Sequence, residues 1–170
     1  MNAGLHKLNA FLQEQAQAEF LKCCGSRRFA SAMTAARPFA NVDELLMKAD
    51  RTWSALGSED WLEAFRAHPK IGEKKAAAAQ SKEAQQWSAQ EQSGINHATA
   101  DTMAAIAEGN RDYEHRFGFI FIVCATGRSS EEMLAILRAR LQNDAETEIA
   151  VAAEEQRKIT RLRLEKLLQQ

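Results

Sequence analysis

No apolar run in this 170-residue sequence approaches the roughly 20 residues needed to span a membrane, so no membrane association is expected. There are only two prolines and eight glycines, so little interrupts helix formation, and abundant alanine favours it. The three cysteines, Cys23, Cys24 and Cys124, do not make a disulfide framework, and the adjacent pair has no metal-ligand spacing. Small buried apolar residues in a reducing compartment are the simpler account of them. An excess of one charge is also missing: 22 Lys and Arg stand against 23 Asp and Glu, interspersed, for a net charge of −1. That balance sets nucleic-acid binding aside. Met1-Asn2-Ala3-Gly4 lacks a basic stretch followed by an apolar one, so no secretion signal is expected. Leu167-Leu168-Gln169-Gln170 is not a peroxisomal address, and the cytoplasm is the expected location. Without repeats at a solenoid period or a linker, one domain over residues 1–170 is expected, long enough to bury a substantial core.

What is present fits a soluble globular protein, with 45% apolar and 26% charged residues. Leu8, Leu12, Phe20, Leu21 and Cys24 predict a helix over about 8–24 that Gly25 ends. Ser26 can cap the next, over Arg28 to Arg37, which stops before Pro38. Asn41 with Glu44 at N3 opens a helix burying Leu45, Leu46, Ala49, Trp53 and Leu56, closed by Gly57. Ser58-Glu59-Asp60 starts another, with Trp61, Leu62 and Phe65 inward. Residues 73–87, polar and alanine-rich, read as a short helix or a mobile connection. Ser88 with Glu91 three residues later matches a capping box, predicting a long helix through Ile95, Thr99, Met103 and Ile106 that frays near Gly109-Asn110. After Gly127-Arg128-Ser129-Ser130, a turn and cap, a helix over Glu131 to Leu141 turns Met133, Leu134, Leu137 and Leu141 inward. The last, about Ala145 to Leu168, buries Ile149, Ala152, Ile159, Leu162 and Leu167.

Phe119-Ile120-Phe121-Ile122-Val123-Cys124 has the composition of a buried strand, but no second strand exists to pair with it. It reads as a buried extended segment whose backbone groups need other partners. The fold class is therefore all-α: a compact single-domain bundle of about seven to nine helices with one buried extended segment.

Chemistry-bearing patterns are few. Glycine-rich phosphate loops and nucleophile elbows are absent, and the four histidines show no paired-ligand spacing, so neither metal nor phosphate cofactor is expected. His97 and His115 read as solvated. His68-Pro69-Lys70-Ile71-Gly72 places a titratable ring on a stiff corner past a helix end, since proline pushes His68 to an extended backbone. On spacing alone, a surface histidine in a helix-ending loop is the preferred account of that pattern, since His-Pro turns are common. Glu91 reads as the N3 partner of Ser88, which residue physics alone prefers, or with Gln92 as a group at a helix N-terminus suited to an anionic or urea-like ligand. Arg163, one turn after Ile159, can clamp a carboxylate or form an interhelical ion pair.

Taken together, these stretches resemble the 2-oxo-4-hydroxy-4-carboxy-5-ureidoimidazoline (OHCU) decarboxylase family over nearly the whole chain. The resemblance rests on Arg37-Pro38-Phe39, Leu62-Glu63-Ala64-Phe65, His68 to Gly72, Ser88-Ala89-Gln90-Glu91-Gln92 and Arg116-Phe117-Gly118-Phe119. It continues through Gly127-Arg128-Ser129, Arg140-Leu141-Gln142-Asn143, Lys158-Ile159 and Arg163-Leu164. Lys70 departs from it, standing where the family commonly has arginine, and keeps the charge.

The resemblance implies an all-helical, cofactor-free enzyme that decarboxylates OHCU to S-allantoin in urate degradation, with the small substrate as its partner and a homodimer as its assembly. It implies His68 and Glu91 as catalytic residues. Pro69, Ser88, Gln92 and Arg163 would contact substrate, with backbone groups among Phe121, Ile122, Val123, Cys124 and Ala125. The alternative is a helical ligand- or partner-binding module without catalysis, against which His68, Glu91 and Gln92 stand intact.

Overall fold

The structure is a computed structural model describing residues 2–73 and 80–169. Among the described residues there are nine α-helices, one 3₁₀ helix and no strand, so the all-helical expectation holds. No described helix is long and apolar enough to cross a membrane. The chain divides into two compact units, Met1–Ala64 with Arg157–Gln170, and Phe65–Gln156.

The first unit contains α1 (Ala3–Ala10), α2 (Gln13–Cys24), α3 (Arg27–Ala35), α4 (Val42–Ser54) and most of α5 (Ser58–Arg66). It also holds the last part of α9 (Ala145–Leu167). The helix expected over 8–24 is broken: Phe11 and Leu12 are extended, with ψ of 145° and 156°. The cause is Arg37, whose Nη1 donates to the carbonyls of Leu8 and Phe11 at 2.8 Å each and so diverts them from helical pairing. Leu12 is consequently 72% exposed, not inward. Caps at Ser26 and Asn41 form as expected, accepting from Phe29 and Glu44 amides. Phe20, Phe29, Met33, Leu45, Trp53 and Leu164 form the core. Leu56, Trp61 and Leu62 are only half-buried.

The second unit carries α6 (Lys82–Glu91), a 3₁₀ helix (Ser93–His97), α7 (Ala100–Phe117), α8 (Ser130–Arg140) and the first part of α9. The helix expected to open at Ser88 does not. Ser88 lies inside α6, whose cap is Ser81, and α7 begins separately behind the Thr99 cap. Ser88 and its neighbour Trp87 are buried, so packing overrides the capping pattern there. Nor does α7 fray at Gly109. A Cβ at Gly109 would sit 2.7 Å from Leu137 Cδ2, so glycine admits α8 at close range while the helix runs on to Phe117. Within residues 73–87, positions 74–79 lie outside the described residues.

The core is Ile71, Ile106, Tyr113, Phe121, Val123, Ala125, Met133 and Leu137. Three of these belong to the extended segment, whose backbone finds side-chain partners in place of a strand. Arg140 Nη1 donates to the Ile122 carbonyl at 2.6 Å, and the Cys124 amide donates to Glu155 Oε2 at 2.8 Å. The Arg140 guanidinium is buried over the Phe121 ring at 4.7 Å. Its charge is compensated by Glu148, which accepts from Arg140 Nε at 2.7 Å, from Asn143 Nδ2 at 2.8 Å, and from the Tyr113 hydroxyl. Buried charges so fully paired cost little and fix one geometry.

Candidate active site

Helix α5 delivers the chain to His68, where a bond from the His68 amide to the Phe65 carbonyl (3.1 Å) closes the turn. The corner beyond is pinned at three points. Lys70 Nζ meets Glu114 at 2.6 Å, Asn110 Nδ2 donates to the Ile71 carbonyl at 2.8 Å, and the Gly72 amide donates to Gln92 Oε1 at 3.1 Å. The bond to Glu114 pushes the Lys70 ammonium above its ordinary value. Gly72 has φ of +82°, a left-handed conformation that glycine adopts without strain, and its Cα faces Met103 and Ile106. His68 is thus displayed from a rigid support, and its Nε2 lies 2.7 Å from Oε1 of the fully buried Gln156.

A cavity of about 460 Å³ opens beside this corner. Its lining includes Pro69, Gly72, Gln80, Ser88, Gln92 and Met103, a volume and polarity suited to a small ring compound. Of the expected site residues, Pro69, Ser88 and Gln92 therefore share one wall. His68 and Glu91 are their chain neighbours. Glu91 also lies near the extended segment: its carboxylate and that of Glu155 both push the Cys124 thiol up, after burial, the largest cause. Phe121, Ile122, Val123 and Ala125 are buried, and Cys124 is half-buried. Arg163 belongs to the first unit, buried, with Nη1 3.5 Å from the Lys22 carbonyl. Arg161 is more exposed and pairs with Asp50 at 3.3 Å. His97 and His115 are exposed, as expected.

The local electrostatics differ from those expected at Ser88 to Gln92. This is the C-terminal end of α6, with Gln92 as its C-cap, so it presents the negative end of the dipole rather than free amides. Donors here come from side-chain amides instead. Among the described residues no group of three or more His, Cys, Asp or Glu is placed to hold a metal ion.

Residues 9–165 match the family model for OHCU decarboxylase. The chain belongs to the OHCU decarboxylase family. It is 38% identical over 149 residues to the uric acid degradation bifunctional protein TTL of Arabidopsis thaliana, covering 88% of this chain and 46% of that one. It is 33% identical over 144 residues to the 2-oxo-4-hydroxy-4-carboxy-5-ureidoimidazoline decarboxylase of Amia calva, covering 82% and 79%. The chain thus spans less than half the length of the bifunctional relative. A crystal structure of an OHCU decarboxylase in the presence of (S)-allantoin superposes with TM-score 0.77 and 37% identity, over 89% of this chain and 98% of that one. The family's all-helical architecture agrees with the nine described helices.

Sequence patterns overlooked two groups that now stand beside the expected ones, Gln156 and Glu155. A signal existed. Gln156 falls four residues after Ala152 and three before Ile159, a polar residue on the stripe expected to be buried. A glutamine kept on such a stripe calls for a buried partner.

Proposed function

We propose that the chain is a cofactor-free carboxy-lyase that converts OHCU to S-allantoin in urate degradation, working as a homodimer on this small-molecule substrate. What supports the reading most is one contact, His68 Nε2 on Gln156 Oε1 at 2.7 Å, beside a cavity bordered by Pro69, Ser88 and Gln92. It ties the chemistry-bearing residues of the family motif to a space of the right size.

The substrate is a five-membered ring with a carboxylate, a hydroxyl and a ureido group. Breaking the ring-carbon–carboxylate bond releases carbon dioxide and leaves an electron pair that delocalises into the ring. One proton must then be added to the ring carbon bearing the ureido group, from one face. His68 acts on the hydroxyl or ring as acid and base, and Glu91 orients it or shares its proton. Gln92 and backbone groups of Phe121 to Ala125 hold the ureido and ring amides.

The test is to generate OHCU with the upstream enzymes and follow the optical activity of the product. Rapid appearance of S-allantoin after exhaustive chelation is expected. A rate and racemic product equal to those in buffer alone would refute the activity. Sedimentation at micromolar concentration should give twice the monomer mass.

A further inference from the structure

Arg128 is held at three points that belong to different parts of the site. Its Nε donates to the Cys124 carbonyl at 3.0 Å, and its amide donates to the Ala125 carbonyl at 3.1 Å, closing a turn at the end of the extended segment. Its own carbonyl packs against Gly94 so closely that a Cβ there would overlap the oxygen. Gly94 belongs to the 3₁₀ helix that starts directly after Gln92 and brings Ile95 and Asn96 into the cavity wall. One half-buried residue therefore joins the extended segment to the Gln92 end of that wall.

Cys124 is thereby held at both of its backbone groups, since its amide donates to the Glu155 carboxylate at 2.8 Å. Hydrogen bonds to ionised groups are the shorter and stronger ones. A strand inherits its spacing from the ladder of its neighbour, but this segment has no neighbouring strand among the described residues. Its distance from the Gln92 end of the wall must be set by side chains. Arg128 is placed to set it, because its side chain grips the segment while its backbone lies on the 3₁₀ helix.

Resting on the activity proposed above, we propose that Arg128 is a positioning residue. Seated on Gly94, it fixes the spacing between the extended segment and Gln92, which hold the substrate from two different elements. It acts through Cys124 and not on the substrate. A misplacement of about 1 Å can cost on the order of 10²-fold in rate, so loosening this link should be visible in turnover.

Three variants of the full chain test this, with OHCU turnover, (S)-allantoin affinity by calorimetry and melting temperature as readouts. Arg128→Met keeps most of the length and removes the donor, and Arg128→Lys keeps a cation and a donor. Gly94→Ala pushes on the Arg128 carbonyl from the other side. Arg128→Met should lower kcat by about ten-fold and weaken allantoin, at nearly unchanged melting temperature. The enantiomeric excess of the allantoin formed should fall with it. Arg128→Lys should restore much of both losses. Gly94→Ala should act in the same direction, and the double variant with Arg128→Met should stay within about two-fold of the worse single one, as expected of residues sharing one contact. Wild-type kcat and allantoin affinity in Arg128→Met overturn the proposal, as do losses that multiply in the double variant. Losses that track a lower melting temperature and resist Arg128→Lys reduce the residue to a stabilising role and overturn it too. Should Gly94→Ala fail to fold, the two Arg128 variants decide alone. A wild-type chain that binds allantoin without turning over OHCU would remove the catalytic reading, and the affinities would still decide the role of Arg128.

Discussion

His68 Nε2 and Gln156 Oε1 are 2.7 Å apart, and the glutamine is wholly buried on α9. An amide oxygen only accepts, so the ring nitrogen facing it carries the proton, and in the neutral imidazole basicity resides at Nδ1. The preceding residue, Glu155, accepts from the Cys124 amide at 2.8 Å. Two successive residues of one helix thus set the tautomer of the imidazole and the position of the extended segment.

If His68 is the acid and base of the reaction, His68→Asn should fold normally, because the residue sits before proline at a helix end and not in the core. Groups of this kind contribute roughly 10²–10⁴-fold in rate, so turnover should fall to near the solution background. The product should approach a racemate. S-allantoin at near wild-type rate from this variant would make His68 a turn residue only.

Gln156 should act through His68. Gln156→Leu leaves the ring without its acceptor and should lower kcat by about ten-fold. Gln156→Glu places a carboxylate on the ring and favours the imidazolium, so the limb of the pH–rate profile belonging to His68 should move to higher pH. A profile superimposable on wild type in both variants would show that Gln156 merely fills space.

Glu91 ends α6 rather than opening a helix, so it is not the N3 partner of a capping box. Glu91→Gln keeps the size of the side chain and should still fold. If the charge is catalytic, turnover drops ten-fold or more in the same samples. A near-normal rate would remove Glu91 from the mechanism.

Much of this was legible in the sequence because it depends on local chemistry. Ser26, Asn41 and Ser129 cap helices as their spacing predicts, and Phe119 to Cys124 forms neither helix nor strand. The misplaced elements were set by distant partners. Arg37, far along the chain from Leu8 and Phe11, breaks the first helix. Burial of Trp87 and Ser88 overrides a capping pattern that is locally sound. In the site, His68, Ser88 and Gln92 stand out by motif. Gln156 does not, since a glutamine declares its role only through the group it meets in space.

The last prediction concerns the first unit and its two buried thiols. Burial pushes the Cys24 thiol from 9.0 up to about 12, and raises Cys23 as well. In the unfolded chain both thiols ionise near 9.0, while in the folded state they stay protonated. Above that pH the unfolded state binds fewer protons than the native one, so stability must fall as pH rises. The contribution is complete below pH 9.0 and is lost progressively toward the folded value of about 12. The slope is about 1.4 kcal/mol per pH unit for each thiol once ionised in the unfolded chain. Lys70 and Tyr113, both raised, act in the same direction from 10.5 and 10.0 upward, and Cys124, also raised from 9.0, acts in the same window, so the double variant compared with wild type isolates Cys23 and Cys24. Denaturant melts of wild type and of the Cys23→Ala, Cys24→Ala double variant across that window should show a steeper alkaline loss in wild type. Parallel losses in the two proteins would mean that the thiols are already accessible to solvent in the folded chain.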